Sequence, residues 1–156
     1  MTEITGEMHS IAWALIVSDL RRSSRFYCEG LGFREGQTVQ RGDEAARTLE
    51  LESCRFQMQF ISRPDMRLNL IRFEEPEAIG DGVRKSALTL GPLLMSFTCP
   101  DPVGASERLV KLGGTLIHKG VSASGRFDIA TVADPDGFRV ELNSAPFEQV
   151  LTMFGQ

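Results

Sequence analysis

The chain has 156 residues, of which 42% are hydrophobic and 24% are charged, and its formal net charge is −4. This composition is typical of one globular domain, and the scattered Lys and Arg residues exclude the basic stripe that a nucleic-acid surface needs. No apolar run is long enough to span a membrane, and the three widely spaced cysteines form no CxxC motif, which predicts a cytoplasmic protein with reduced thiols.

The first half of the chain predicts one strand, one helix and three further strands. Residues 1–9 are predicted to form a flexible leader. The apolar run over residues 10–17 is typical of a buried strand, and Asp19 is a good N-cap for a helix that Gly32 ends in a left-handed conformation. Apolar patterns then predict strands at residues 33–40, 54–61 and 67–73, with a short helix or turn within 41–52.

The second half repeats this order after a linker. Residues 74–92 carry prolines, glycines and acids without an apolar period, which is typical of a linker. A strand follows at residues 93–99, and Asp101 is predicted to cap a helix that ends at Gly113. Further strands are predicted at residues 115–119, at 126–133 and in a closing hairpin, followed by an amphipathic tail over residues 146–156.

The two halves form an internal repeat. The capping Asp and the terminal Leu-Gly of the helix recur, as Asp19 with Leu31-Gly32 and as Asp101 with Leu112-Gly113. One such unit cannot bury both faces of its four strands, so two units are expected to pair. The sequence therefore predicts an α+β fold within a single domain at residues 10–145, in which two paired βαβββ modules (about 10–73 and 93–143) form a half-open curled sheet around a cleft. Such a cleft is the expected ligand site.

The closing hairpin carries a carboxylate on a strand whose other face is apolar. Asp134-Pro135-Asp136-Gly137 has the residues of a tight turn, in which proline pre-sets φ, the aspartates bind nearby N–H groups and glycine takes the positive φ. After the turn, apolar residues alternate with polar ones, and Glu141 lies between Val140 and Leu142. Glu141 is predicted to be either a functional carboxylate or a surface charge paired with an arginine.

Several short motifs occur in the order and at the spacing of a known family. They are Asp19-Leu20, Phe26-Tyr27, Leu31-Gly32-Phe33, Asp134-Pro135-Asp136-Gly137 and Val140-Glu141-Leu142. In these motifs the chain resembles the glyoxalase, bleomycin-resistance and extradiol-dioxygenase superfamily, also called vicinal oxygen chelate proteins, over about residues 10–145. The resemblance is specific for the fold rather than for the reaction, and it implies a homodimer.

In metal-using members of that superfamily, four ligands, usually His and Glu, lie on the first and last strands of the two modules. The resemblance assigns these positions to Ala12, Asn69, Leu94 and Glu141. Only Glu141 is a good ligand for a divalent ion, whereas a catalytic metal site normally needs three protein ligands. The resemblance therefore implies a protein with no metal or other cofactor, while a shifted register or a bulge that supplies an unusual ligand set stays open.

Three titratable residues are the candidates for catalysis: Glu141, Asp128 and His118. In an apolar cleft the pKa of Glu141 is expected to rise, which suits a general base. Asp128 lies within an apolar strand, where an unpaired buried charge is costly, and His118 can act as an acid or base near neutral pH. The alternatives are a solvated position for Asp128 and a structural hydrogen bond for His118.

A set of mostly small or apolar residues is predicted to line the cleft: Ala12, Ala14, Asn69, Ile71, Phe73, Leu94 and Ser96. Such a lining favours a small aromatic, polycyclic or acyl ligand. The sequence therefore predicts a metal-independent small-molecule-binding homodimer, with sequestration or proton transfer by Glu141 as its role. The alternatives are a metal-dependent glyoxalase-type lyase or isomerase, an extradiol dioxygenase with an atypical ligand set, and a module that serves only as a dimerisation or partner surface.

Overall fold

The computed structural model describes residues 8–156, so residues 1–7 of the predicted leader lie outside the described residues. The first module contains β1 (Trp13–Ile16), α1 (Leu20–Arg25), β2 (Arg34–Arg41), β3 (Arg55–Arg63) and β4 (Met66–Glu75). The second module contains β5 (Leu94–Thr98), α2 (Pro102–Lys111), β6 (Thr115–Val121), β7 (Asp128–Ala133) and β8 (Arg139–Asn143). The predicted tail forms α3 (Phe147–Met153). Within residues 8–156, no helix is long and apolar enough to cross a membrane.

Each module forms its own four-stranded sheet with the same strand order. The order is β1-β4-β3-β2 in the first sheet, called sheet 1, and β5-β8-β7-β6 in the second, called sheet 2. The edge strands β1 and β5 run parallel to β4 and β8, whereas the remaining pairs are antiparallel. The predicted α+β fold of two βαβββ modules is therefore confirmed.

Both predicted helix starts have the expected side-chain cap. Asp19 Oδ1 accepts a hydrogen bond from the Arg22 N–H at 2.9 Å, and Asp101 Oδ1 accepts one from the Gly104 N–H at 2.9 Å. α1 continues into one π-helical turn, and Gly32 follows that turn with φ at +76°. The same local chemistry therefore sets the start of the helix in each module.

One hydrophobic core joins the two modules. Its buried residues come from both sheets, from the π-helical turn after α1, from α2 and from adjoining segments: Val17, Phe26, Tyr27, Leu31, Phe33, Ile61, Leu68, Leu70, Ala105, Leu109, Ala130, Val132, Val140 and Leu142. Phe26 of the first module reaches β7 of the second, because a Cβ added to Gly114 would lie 2.8 Å from both Phe26 and Val132. The rings of Phe33 and Phe97 also meet edge-on, with their centroids 6.3 Å apart. The helical segments thus pack between the two sheets.

The shared core also determines which residues face outward. Because side chains alternate along a strand, neighbours in sequence point to opposite faces of a sheet. Leu68 and Leu70 of β4 point into the core, as do the residues on either side of Glu141 in β8. Asn69 and Glu141 therefore point to the outer faces of sheet 1 and sheet 2. Since the core lies between the sheets, these outer faces are on opposite sides of the chain.

The β6–β7 hairpin is shifted along the chain relative to the sequence prediction. β6 continues to Val121, in the predicted loop, and β7 begins at Asp128 rather than at residue 126. The Ser122 N–H donates to the Phe127 carbonyl at 2.7 Å, and the Gly125 N–H donates to the Ser122 carbonyl at 2.7 Å. These bonds continue the ladder across a segment whose small polar residues look like a loop. In the first module, β1 is shorter than the sequence predicts, since it begins at Trp13 rather than at residue 10.

The uncertain segment within residues 41–52 is a 3-10 helix, Asp43–Leu49. Its Ala46 forms a second, smaller core with Cys54 and Phe56. The Cys54 N–H donates to the Asp43 side chain at 2.9 Å, which ties the start of this helix to the chain just before β3. The 3-10 helix therefore covers one end of the outer face of sheet 1.

Candidate ligand-binding site

A row of polar side chains crosses the outer face of sheet 2. The strand register runs from Ser96 on β5 through Glu141 and Thr131 to His118 on β6. The Ser96 hydroxyl donates a hydrogen bond to Glu141 Oε1 at 3.1 Å, and Leu94 lies on the same face. His118 is two strands away from Glu141, which corresponds to about 10 Å. The two predicted catalytic groups share a face, but they do not contact each other.

The outer face of sheet 1 is apolar around Asn69. Because β1 and β4 run in parallel register, Ala14 lies beside Asn69, and Ile16 lies beside Ile71. Further along β4, Ile71 and Phe73 pack against the small core under the 3-10 helix. Ile71 and Phe73, which are predicted to line a cleft, are partly buried by this packing within one chain.

Asp128 lies on the other side of sheet 2 from Glu141. It begins β7 and alternates in phase with Ala130 and Val132, which point into the core. The Asp128 N–H donates to the Ser144 hydroxyl at 2.9 Å, and the residue as a whole is exposed. The fold does not bring Asp128 to the polar row that contains Glu141, and its placement fits a solvated strand position.

A pocket of about 420 Å³ lies where the start of β1, the edge strand β5 and α3 meet. Two of the predicted cleft residues, Ala12 and Ser96, line this pocket. Its apolar surface comes mainly from Trp13, Phe97, Phe147, Val150, Leu151 and Phe154. Its other lining residues include Ser10, Thr98, Asn143 and the β3–β4 hairpin. Ala14, Asn69, Leu94 and Glu141 are outside the lining, although Glu141 binds Ser96.

The β3–β4 hairpin brings three charged side chains to the pocket. Arg63 Nε donates to Asp65 Oδ1 at 2.6 Å, and the Arg63 guanidinium lies 5.2 Å from the centre of the Phe97 ring. Arg67 instead donates to the two backbone carbonyls that precede Ala12, those of residues 10 and 11. The charge of Arg63 is thus balanced by a carboxylate, whereas within residues 8–156 Arg67 is held only by neutral oxygen atoms.

A buried carboxylate ties the turn between β7 and β8 to the first module. Asp134 is 4% exposed, and its Oδ2 accepts a hydrogen bond from the Tyr27 hydroxyl at 2.7 Å. Its Oδ1 accepts bonds from the N–H groups of Asp136 and Phe138 at 3.0 and 2.8 Å. The predicted local capping by Asp134 is confirmed, and the bond from Tyr27 adds a contact between modules.

Asp136 makes a second contact of the same kind. Its carboxylate accepts hydrogen bonds from the N–H and hydroxyl of Ser18 and from Arg22. We call Ser18, Arg22, Tyr27, Asp134 and Asp136 the inter-module clasp. Burial raises the pKa of Asp134, and burial together with the Asp134 charge raises the pKa of Tyr27 well above its ordinary value. Tyr27 therefore stays protonated and donates to Asp134, which fits a structural role.

The sequence family follows from a comparison with known proteins. A family model described as Glyoxalase/Bleomycin resistance protein/Dioxygenase superfamily matches residues 8–142. The chain belongs to this superfamily. The family that the short motifs predict is thereby confirmed. No curated protein sequence matches the chain.

Solved structures share the superfamily fold at low sequence identity. A glyoxalase family protein from Bacillus cereus is 22% identical, with 92% of this chain and 98% of that chain covered and a TM-score of 0.80. The fosfomycin resistance protein FosX from Listeria monocytogenes is 14% identical, with 92% and 98% covered and a TM-score of 0.61. A glyoxalase family protein from Enterococcus faecalis is 18% identical, with 90% and 98% covered and a TM-score of 0.60. At these identities the likeness establishes the fold alone.

The ligand positions that the superfamily implies do not form a metal-chelating set in this chain. Ala12 and Leu94 carry no donor atom, while Asn69 offers an amide and Glu141 a carboxylate. Asn69 and Glu141 also point to outer faces on opposite sides of the chain. Among the side chains of residues 8–156, no group of three or more His, Cys, Asp or Glu can hold a metal ion. Since a catalytic metal normally needs three protein ligands, the residues present do not fit one.

Some pocket residues carry no local signal of function in the sequence. Leu151 and Phe154 belong to an amphipathic tail, whose apolar stripe predicts only that another surface covers it. Arg67 stands near the start of a strand, where a charged side chain is ordinarily solvated. Outside the pocket, the clasp residue Tyr27 does carry a signal, since a buried Tyr usually finds a hydrogen-bond partner.

Proposed function

We propose that this superfamily member binds a small, largely apolar molecule in the pocket between β1, β5 and α3, without a bound metal ion. The observation that supports this most strongly is the pocket itself, in which Ala12 and Ser96 stand beside apolar side chains of α3. Its volume of about 420 Å³ falls in the range of about 300–1,000 Å³ that is usual for small-molecule sites. Phe97 and Phe147 supply aromatic surface, which favours an aromatic or acyl ligand over a sugar.

Glu141 is the group that we propose for acid–base chemistry at the edge of this pocket. Ser96 lines the pocket and donates to Glu141 at 3.1 Å, so a ligand hydroxyl or N–H that displaces Ser96 can reach the same carboxylate. A carboxylate within hydrogen-bond distance of a donor can accept its proton. His118 can take part only with a ligand long enough to extend along the polar row. Sequestration of an unreacted ligand remains the alternative role.

Ligand binding is expected to survive the removal of divalent metal ions, because residues 8–156 contain no chelating set. Protein dialysed against EDTA is screened by thermal shift with aromatic and acyl compounds, and its metal content is measured by elemental analysis. A compound that binds is expected to stabilise the chelated and untreated protein equally, by about 2.7 kcal/mol at a hundredfold excess over Kd.

Manganese(II) is the ion that is added back to the EDTA-treated protein in this experiment, because one structure of Listeria monocytogenes FosX contains it. If EDTA abolishes the thermal shift and manganese restores it, ligand binding depends on a metal ion, as the lyase, isomerase and dioxygenase alternatives require, and the proposal is wrong. If no aromatic or acyl compound binds under either condition, the module is better interpreted as a partner surface.

We also propose that a second copy of the chain covers β1. Ile11, Trp13 and Ile16 are 79%, 61% and 60% exposed, and β1 is an edge strand of sheet 1. An edge strand with exposed apolar side chains is a template for association. These exposures support a homodimer whose contact runs along β1, next to the pocket residue Ala12.

The substitution Ile16→Lys is expected to convert this dimer into a monomer, because a lysine on an edge strand opposes pairing with another chain. Size-exclusion chromatography with light scattering measures the mass of wild type and variant at the same concentration. Ile79→Lys is the matched control, since Ile79 is fully exposed in the linker. A monomeric wild type, or a variant that remains dimeric, contradicts the proposed contact.

A further inference from the structure

The chemistry of the pocket lining points to a narrower class of ligand, and this step rests on the proposed function. We infer that the pocket takes an amphipathic anion, such as an aromatic or acyl carboxylate. The anionic group contacts the Arg67 guanidinium, and the apolar body lies against Phe97 and the α3 residues Leu151 and Phe154.

The first observation is the unbalanced charge of Arg67. Among residues 8–156 its hydrogen bonds go to the backbone carbonyls of Ser10 and Ile11. A guanidinium has five N–H donors in a planar fork, so these bonds leave donors available for a ligand. Carbonyl oxygens also hold the side chain in place without neutralising it. Arg67 is therefore a cation that is already positioned at the pocket.

The second observation is the contrast with Arg63. Arg63 also lines the pocket, but its Nε donates to Asp65 at 2.6 Å, and its guanidinium lies over the Phe97 ring. Among the described residues 8–156, the charged residues of the lining are Arg63, Asp65 and Arg67. Once the first two balance each other, one positive charge remains. A planar guanidinium fits the two oxygens of a carboxylate, so it favours an anion of that shape.

The position of Glu141 indicates how such an anion is oriented. Glu141 binds Ser96, which lines the pocket, and a second negative charge placed there is repelled. The anionic group is therefore favoured at the Arg67 side of the pocket. The rest of the ligand then extends toward α3, whose lining residues are Phe147, Val150, Leu151 and Phe154 and carry no charge.

The test compares two probes of the same shape, 2-naphthoate and its neutral amide 2-naphthamide, by isothermal titration calorimetry. Wild type is expected to bind the carboxylate about tenfold more tightly than the amide, since hydrogen bonds to charged groups are the stronger ones. Arg67→Gln is expected to remove this preference, and Arg67→Lys to retain part of it. Arg72→Gln is the matched control, because Arg72 is an exposed arginine on the same strand and lies outside the pocket lining.

The possible outcomes separate this inference from the proposed function. If wild type binds both probes with equal affinity, the proposal of a ligand-binding pocket is kept and the inference of an anionic ligand is wrong. If neither probe binds, the pocket fails as an aromatic site, and both proposals are overturned. If Arg72→Gln weakens the binding of naphthoate as much as Arg67→Gln does, the preference for the carboxylate comes from the overall charge of the protein. The assignment of this preference to Arg67 is then wrong. Thermal melting identifies any variant that fails to fold, and Arg67→Lys keeps the test valid if Arg67→Gln is such a case.

Discussion

Replacement of Asp134 by alanine is expected to lower the free energy of unfolding by about 3–5 kcal/mol. The Asp134 carboxylate is 4% exposed and accepts hydrogen bonds from Tyr27, Asp136 and Phe138. Alanine leaves the Tyr27 hydroxyl and two N–H groups without their acceptor, and each buried unsatisfied group costs about 1–3 kcal/mol. The same substitution removes one of the two carboxylates of the inter-module clasp. Urea unfolding followed by circular dichroism measures the change.

Two milder substitutions show whether the loss of unfolding free energy comes from the hydrogen bonds of the inter-module clasp. Asp134→Asn keeps one oxygen for the N–H groups, so it is expected to cost less than alanine. Tyr27→Phe removes only the hydroxyl, and a double-mutant cycle with Asp134→Ala is expected to give a coupling energy of about 1 kcal/mol or more. If Asp134→Ala stays within about 0.5 kcal/mol of wild type, the clasp does not stabilise the pairing of the modules.

The pH dependence of stability supplies an independent readout for Asp134. Burial raises the pKa of Asp134 in the folded protein, so this carboxyl binds its proton more readily in the folded state than in the unfolded one. Its contribution to stability is therefore complete below the unfolded pKa of about 3.9 and is lost as the pH rises through the folded pKa. The stability of wild type relative to Asp134→Asn is expected to fall with rising pH across this interval. If this stability difference instead rises with pH, the raised pKa of Asp134 is contradicted.

The two modules are predictable from the sequence because their signals are local. Asp19 and Asp101 cap the helices within three residues of themselves. Gly32 and Gly113 take positive φ values of +76° and +99°, which only glycine adopts without a steric cost. These signals occur at matching places in both halves, so each supports the interpretation of the other.

The alternation of apolar and polar residues along a strand does not by itself predict which face of each sheet packs into the core. In β4 apolar residues lie on both faces, with Leu68 and Leu70 inward and Ile71 and Phe73 outward. The same strand pattern therefore fits a cleft on either side, and the packing of α1 against β4 decides which face is the core. Asp128 is ambiguous for the same reason, because apolar residues on both faces of β7 hide its orientation.

Substitution of Ala12 by tryptophan is expected to weaken ligand binding at least about 100-fold, which is about 2.7 kcal/mol of binding free energy. Ala12 lies on the pocket wall just before β1. A rigid indole occupies a large part of a space of about 420 Å³, since tryptophan buries roughly 150–250 Å² of surface. Because Ala12 is only half-buried and outside the main core, the melting temperature is expected to change little. Calorimetry with a compound from the thermal-shift screen measures the affinity.

Ala14→Trp is the matched control and separates two places where the ligand can bind. Ala14 lies two residues further along the chain, within β1, but it is exposed on the outer face of sheet 1 beside Asn69 and outside the pocket lining. If the pocket is the site, Ala14→Trp keeps the affinity that Ala12→Trp loses. If Ala14→Trp abolishes binding and Ala12→Trp does not, the ligand lies on the outer face of sheet 1, and the assignment to the pocket is wrong. The two variants carry the same chemical change two residues apart, so the pair distinguishes the pocket under α3 from a cleft over Asn69.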